Sequence, residues 1–255
     1  MPTESGDYFD RSVKGPSPLS STIFIGLRWA DLPLQYYLLQ RGWGASIIQR
    51  LGGQPVHLGT GGGILSLAPY HTAVCAMALG STVKHTVYQL VVLDTKVPVS
   101  IAALIGTMNS IINSMNTLLS LWTVTSLAPV PPSLPSSSAF YIGVGLYSIG
   151  ILTELVAELQ RKRFKSDPLN KGKPYFGGLW SLATNINYGG YILWRAGYAL
   201  ACGGVSWGLF CGSLHFIDFA FRAVPAMERY CTKRYGTEYT KKKENVRYKL
   251  LPGIF

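Results

Sequence analysis

Charged residues are scarce in this sequence. Only 14% of its 255 residues are Asp, Glu, Lys or Arg, whereas 48% are hydrophobic. This balance is unusual for a soluble domain and indicates a protein that places apolar segments in a membrane. Acidic residues are especially few, 12 against 23 Lys and Arg, which leaves a formal net charge of +11. The basic residues concentrate in 161–173 and after Arg222, beside apolar segments, which favours lipid head groups or a phosphorylated ligand over nucleic acid.

Cysteine is rare and follows no ligand pattern. The four cysteines form no CxxC pair and have no zinc-type spacing to histidine, so we expect free thiols and no metal site. The first residues also lack the basic start and short apolar core of a secretory signal, so we expect the first membrane helix to direct insertion.

Apolar stretches close to the length of a membrane crossing recur along the chain. They predict an all-α fold, a polytopic integral membrane helical bundle with five to seven transmembrane helices, and no separate soluble domain. In the first stretch Arg28 and Asp31 lie close enough on a helix to pair. The candidate segments are 21–40, 64–80, 83–92, 97–122, 139–159 and 179–223.

The last apolar stretch, 179–223, is too long for one crossing and has Gly203 and Gly204 near its middle, which predicts a helical hairpin. A hairpin returns the basic tail to the same side as the basic 161–173 loop, and the positive-inside rule then predicts a cytoplasmic C-terminus. Residues 1–20 are predicted to form a flexible arm, and 21–255 a single transmembrane domain.

A polar stripe marks the 97–122 helix. Asn109, Asn113, Asn116 and Ser120 recur at steps of four, three and four, so they share one helical face. Amides facing lipid would be unsatisfied, so the stripe faces other helices or a cavity. The three asparagines are therefore either interhelical hydrogen-bonding groups or candidates for a substrate pocket.

Two carboxylates stand four residues apart at the end of the 139–159 helix. Glu158, with Lys162 a further four residues on, is typical of an interfacial ion pair. Glu154 lies deeper, and carboxylates inside a membrane are functional candidates, so we take it as a candidate catalytic residue.

Three ionisable residues interrupt the final apolar stretch. His215, Asp218 and Arg222 fall on one helical face. They are compatible with a buried proton relay or with mutual neutralisation.

The strongest motif lies in 154–190, which reads ELVAELQRKRFKSDPLNKGKPYFGGLWSLATNINYGG. This segment resembles the steroid 5α-reductase-like (DUF1295-like) membrane protein family, in which a basic loop leads to a GLW or GLF and then to an arginine-histidine-proline-asparagine-tyrosine core. The ending resembles the family as well, through RYGTEY at 234–239 and PGIF at 252–255. The matching positions of the core frame are Gly178, Leu179, Trp180, Asn187, Tyr188 and Gly190.

The resemblance implies that 154–255 binds NADPH from the cytoplasmic side, while a lipophilic substrate enters among helices of what would be an endoplasmic reticulum membrane. Guanidinium and ammonium groups suit the phosphates of such a cofactor. The implied cofactor-binding residues are Asn187, Tyr188, Trp180, Lys165, Asn170 and Arg229.

The implied reaction is reduction of an activated C=C bond, an enone, in a sterol, terpenoid or other lipid. The cofactor supplies a hydride, and an acid must polarise the carbonyl. Tyr147 is our candidate proton donor with Glu154 orienting it, and Tyr70 and Tyr88 are alternatives.

The chain is a divergent member of this frame, because Thr184, Asn185 and Ile186 replace the arginine, histidine and proline, and Tyr191 replaces a glutamate. Two other functions therefore stay open. One is an S-adenosylmethionine-dependent methyltransferase of the isoprenylcysteine type, against which the retained Asn187 counts. The other is a non-redox isomerase or cyclase on the same scaffold.

Overall fold

The computed structural model describes residues 7–56, 66–129 and 133–255. These residues form helices and connecting segments without a β-strand, and the all-α prediction is confirmed for them. The first six residues of the predicted arm and the start of the predicted 64–80 segment lie outside the described residues. The helices are α1 Pro18–Gln40, α2 Trp43–Arg50, α3 Pro69–Val87, α4 Val99–Leu121, α5 Ser138–Ser166, α6 Ile186–Asp218, α7 Val224–Tyr235 and α8 Thr237–Glu244.

Two helical stretches of the described chain are long and apolar enough to cross a membrane. They are Ser138–Ser166, which is α5, and Ile186–Tyr235, which continues from α6 through a π-helical turn into α7. The larger number of crossings and the cytoplasmic position of the tail stay predictions.

The hairpin predicted within 179–223 is confirmed. Gly204 leaves the helical conformation with φ 74° and ψ −170°, values that glycine adopts at little cost. The two arms of α6 then run back to back, since a Cβ added to Gly208 would lie 2.8 Å from the Cβ of Leu200.

Helices α5 and α6 approach each other backbone to backbone. A Cβ at Gly150 of α5 would lie 2.4 Å from the amide nitrogen of Trp194 and 2.6 Å from the carbonyl oxygen of Gly190 on α6. Only glycine permits this approach. The contact fixes the position of one helix against the other and, with it, every side chain that projects between them.

A buried polar network joins α1 to α4. The Asp31 carboxylate accepts hydrogen bonds from Arg28 at 3.1 Å, Gln35 at 2.7 Å and Asn113 at 2.7 Å. The predicted pairing of Arg28 with Asp31 is confirmed. Buried charges are tolerated when such partners satisfy them. This buried network therefore holds α1 and α4 together.

We expect Gly150→Ala to destabilise the protein by about 1–3 kcal/mol, because the added methyl overlaps the backbone of α6. Gly145→Ala is the matched control in the same helix, since nothing lies within 4 Å of its Cβ position. Thermal unfolding in detergent measures both variants. Equal stability of the two would contradict the tight backbone contact.

Candidate active site

A cavity of about 610 Å³ lies where the start of α6, which carries Asn187 and Tyr188, meets the ends of α3 and α5. Its walls come from 7–14, the end of α3 with the π-helical turn Tyr88–Val92, α4, α5, the 170–176 loop, the start of α6 and the returning arm that leads into α7. At its inner end lie Glu154 and the apolar side chains of α1 and α4. At its outer end lies Lys165, eleven residues further along α5, about 16 Å away at 1.5 Å per residue.

The first turn of α6 forms one wall. Asn187 Nδ2 donates to Glu158 Oε1 at 2.7 Å, while Asn187 Oδ1 is buried and has no hydrogen-bond partner among the described residues. The Tyr188 ring stacks on Phe219 with centroids 4.8 Å apart. An unused buried acceptor beside an aromatic face is a polar contact available to a ligand.

The tail holds this first turn in place through its backbone. Thr184 N donates to Tyr248 O at 3.0 Å, and Asn185 N donates to Lys249 O at 2.8 Å. Gly189 must be glycine here, since a Cβ would lie 2.0 Å from the carbonyl oxygen of Leu250. The tail is therefore part of the scaffold behind the cavity wall.

Three cations gather at the outer end. Lys165 Nζ donates to the Tyr235 hydroxyl at 3.0 Å, and Arg234 Nη1 donates to the Tyr230 hydroxyl at 2.5 Å. Lys171 lines the same cavity. In the described part of the chain no carboxylate forms an ion pair with any of the three. Their mutual repulsion favours an anionic ligand.

The inner end combines a buried ion pair with apolar walls. Lys84 Nζ donates to Glu154 Oε1, and Trp194 Nε1 donates to Glu154 Oε2 at 2.7 Å, so both carboxylate oxygens are engaged. Asn109 lines the same end and accepts a hydrogen bond from Arg195. The apolar side chains around them are Phe24, Val92, Ala102 and Ile105.

The N-terminal strap, residues 7–14, lies across the cavity and differs from the flexible arm predicted over 1–20. Lys14 Nζ donates to Asp94 Oδ1 at 3.0 Å, and Arg11 Nη2 donates to the Tyr188 hydroxyl at 3.3 Å. The Arg222 guanidinium packs on the Tyr8 ring, 4.2 Å from its centroid. These contacts hold the strap against α6, the π-helical turn Phe219–Ala223 that follows it, and the segment before α4.

The strap contacts shift two ionisations. Burial lowers the pKa of Arg11, but the neighbouring Tyr188 hydroxyl and the Asp7 carboxylate outweigh it, and the net pKa rises. Burial likewise raises the pKa of Asp94, but hydrogen bonds from Lys14 and Thr95 outweigh it, and the net pKa lies below its usual range. A carboxyl with a depressed pKa stabilises the fold above its ordinary pKa and loses this effect as the pH falls through the lowered value, so the Lys14–Asp94 contact is intact at neutral pH.

Comparison with known proteins matches residues 104–246 to a family described as "Protein of unknown function (DUF1295)". The chain belongs to the DUF1295 family. The match covers α4 to α8 and confirms the predicted steroid 5α-reductase-like family.

Relatives of this DUF1295 protein carry two kinds of name. A probable O-methyltransferase, ustE, from Ustilaginoidea virens is 36% identical over 240 residues, which are 91% of this chain and 84% of that protein. A 7-dehydrocholesterol reductase from Danio rerio is 29% identical over 87 residues, 34% of this chain and 18% of the reductase. A Delta(14)-sterol reductase from Gibberella zeae is 24% identical over 165 residues, 45% of this chain and 34% of the reductase. No solved structure matches significantly.

The cavity brings together most of the residues that the sequence singled out. Those that line it are Glu154, Lys165, Asn170, Trp180, Asn187, Tyr188 and Asn109. Asn170 Nδ2 donates to Phe164 O at 3.2 Å, and Trp180 Nε1 donates to Ala157 O at 2.7 Å, so these two side chains also brace the wall.

Four predicted site residues lie elsewhere. Tyr147 points into the core, where its hydroxyl donates to Met77 O at 2.7 Å, and Asn113 serves the Asp31 network. Asn116 accepts from Trp207 Nε1 at 2.7 Å, so the hydrogen-bonding interpretation of the stripe describes both asparagines. Arg229 lies on α7 beside a separate surface depression.

The proposed His–Asp–Arg relay is not formed. Arg222 binds Asp218 through two hydrogen bonds of 2.6 Å, whereas His215 Nδ1 is 2.8 Å from Cys211 O, one helical turn back. Mutual neutralisation therefore describes Asp218 and Arg222. Sequence reasoning missed His85 and the strap residue Arg11, because neither belongs to a motif and the strap is distant in sequence from the wall that it contacts.

The Lys84–Glu154 pair should be essential to the fold as a pair. We expect Lys84→Met to cost about 3–5 kcal/mol, because it leaves the Glu154 carboxylate buried and uncompensated. The double variant Lys84→Met/Glu154→Gln should recover most of this loss, since the Gln oxygen still accepts from Trp194. Denaturant unfolding of both variants measures the difference, and equal instability would argue against a charge effect.

Proposed function

We propose that this DUF1295 protein is a membrane-bound, NADPH-dependent reductase that saturates an activated C=C bond in a lipophilic enone. The observation that carries the proposal is the group of three cations, Lys165, Lys171 and Arg234, that meet at the cavity without a carboxylate partner in the described chain. A ligand with several phosphate groups satisfies such a group better than a cationic one does.

The residues present fit the cofactor. The three cations would hold its phosphates, and the unused Oδ1 of Asn187 would accept a hydrogen bond from an N–H or O–H of its other end. When bound, NADPH would supply a hydride to the β-carbon of the conjugated C=C bond, and water would supply the proton that the α-carbon takes up. Glu158 fixes the Asn187 amide, so that its carbonyl oxygen is the group left for the ligand.

The inner end of the cavity suits the other reactant. Phe24, Val92, Ala102 and Ile105 offer apolar surface there, and the strap lies across the cavity through the contact of Arg11 with Tyr188. Excluding water strengthens hydrogen bonds to a polarised carbonyl and protects a hydride transfer. The two ends of one cavity thus match an anionic cofactor and a lipophilic substrate.

Methyl transfer from S-adenosylmethionine is the second candidate. The observation that favours it is the similarity over 91% of the chain to a protein named probable O-methyltransferase. The aromatic pair Tyr188 and Phe219 could pack against a sulfonium group. The unpaired cations at the outer end weigh against it, because the methyl donor carries no phosphate.

Direct measurement of cofactor binding distinguishes the two candidate functions. Titrating the detergent-purified protein with NADPH and with S-adenosylmethionine in a calorimeter should give a heat of binding for NADPH. The double variant Lys165→Ala/Arg234→Ala should weaken NADPH at least about tenfold, since each charge-assisted hydrogen bond contributes about 1.5–3 kcal/mol.

Lys242→Ala is the matched control, because Lys242 lies on α8, pairs with Glu238 at 2.8 Å and does not line the cavity. It should bind NADPH as the wild type does. Binding of S-adenosylmethionine alone by the folded protein would reject the reductase and favour the methyltransferase.

A further inference from the structure

His85 is a buried polar side chain with no structural task that the fold reveals. It is 7% exposed, it lines the inner end of the cavity, and its Nδ1 is buried without a hydrogen-bond partner in the described chain. The imidazole forms no hydrogen bond with any other described residue. Buried polar groups are normally satisfied, so an exception at a cavity wall points to a partner that binds there.

The ring of His85 is nevertheless held firmly. It makes edge contacts with Phe24, at a centroid distance of 5.5 Å and an interplanar angle of 82°, and with Trp194, at 5.9 Å and 70°. A binding side chain needs such support, because a fixed rotamer lowers the entropy lost when a ligand is bound.

The surroundings of His85 define the ligand class. The imidazole is buried beside the cations Lys84, Arg28 and Arg195, and Glu154 is already engaged by Lys84. Burial first, and then these like charges, favour a neutral imidazole. A neutral imidazole carries one N–H donor. Phe24 packs on the imidazole, and Ala102 and Ile105 also line the cavity, so apolar surface is available here for the hydrocarbon part of a ligand.

We propose that His85 binds the carbonyl oxygen of a lipophilic enone whose hydrocarbon body packs against Phe24, Ala102 and Ile105. This inference rests on the proposed function and assigns its substrate site. The hydrogen bond draws electron density towards the carbonyl oxygen, which makes the conjugated C=C bond a better hydride acceptor. His85 transfers no proton in this role.

Binding of a sterol enone tests the assignment. Tritiated cholest-4-en-3-one is bound to the purified protein in detergent, with and without NADPH, and cholest-4-ene, which lacks only the oxygen, is the competitor. We expect His85→Phe to weaken the enone about tenfold and to leave the competitor unchanged, because only the enone loses a hydrogen bond. His85→Gln, which keeps an N–H donor, should recover part of the affinity.

His71→Phe is the matched control, since His71 lies in the same helix and is buried. Its Nε2 is 3.3 Å from Ser120 O, and the side chain does not line the cavity. It should keep the enone affinity and lower the melting temperature, whereas His85→Phe should not lower it. Equal loss of melting temperature in both variants would make His85 a structural residue and overturn the proposal. Unchanged enone affinity in His85→Phe, or no enone binding to the wild type up to its solubility, would overturn it too.

The proposal and the proposed function fail in different ways. If NADPH does not bind but His85→Phe still weakens binding of the enone, the reductase is rejected and the substrate site stands. If NADPH binds and the enone affinity is the same in His85→Phe as in the wild type, the substrate site is rejected and the reductase stands.

Discussion

The backbone contact between α5 and α6 determines where the chemistry of this protein lies. Glycines at 150 and 190 allow the two helices to touch. Glu154 and Glu158, one and two turns further along α5, are thereby brought to the side of α6 on which Asn187 lies, one turn before Gly190. A methyl group at this contact would separate both cavity walls together. The cavity is thus a consequence of how two apolar helices pack and not of a loop arranged around a ligand.

Buried charge is distributed unevenly around this contact. Inside the bundle, Asp31 and Glu154 each engage a cation and at least one neutral donor, so these carboxylates are fully used by the fold. At the rim, the hydrogen bonds of Lys165 and Arg234 within the described residues go to tyrosine hydroxyls and to the backbone. The ionic groups that the fold engages fully therefore differ from those left at the rim of the cavity, and the catalytic role of Glu154 stays a prediction.

The sequence predicts the elements of this fold better than their contacts. Local signals were sufficient for the hairpin at Gly204 and for the pairing of Arg28 with Asp31, because both depend on residues within a few positions of each other. The family motif located the Asn187 wall. Tyr147 was placed wrongly, since nothing local tells which neighbour a helix face meets, and here that neighbour is the carbonyl of Met77.

The sequence pattern predicted none of the long-range contacts between the first residues and the cavity wall. Arg11 and Tyr188 are 177 positions apart, and the polar composition of the first residues resembles that of an unstructured arm. The asparagine stripe shows the same limit on a smaller scale. Its members share one face of α4, yet Asn113 meets α1 and Asn116 meets the second arm of α6, because neighbouring positions on one face contact different helices.

The pairing of residues 184 and 185 with the backbone of 248 and 249 has a consequence for biosynthesis. The strap and α1 leave the ribosome before α6, whereas the tail segment behind the cavity wall leaves after the described helices α1 to α8. The cavity wall at the start of α6 therefore lacks its backbone partners until residues 248 and 249 have been translated. Stalled or prematurely terminated chains would contain every apolar helix and still lack a completed pocket.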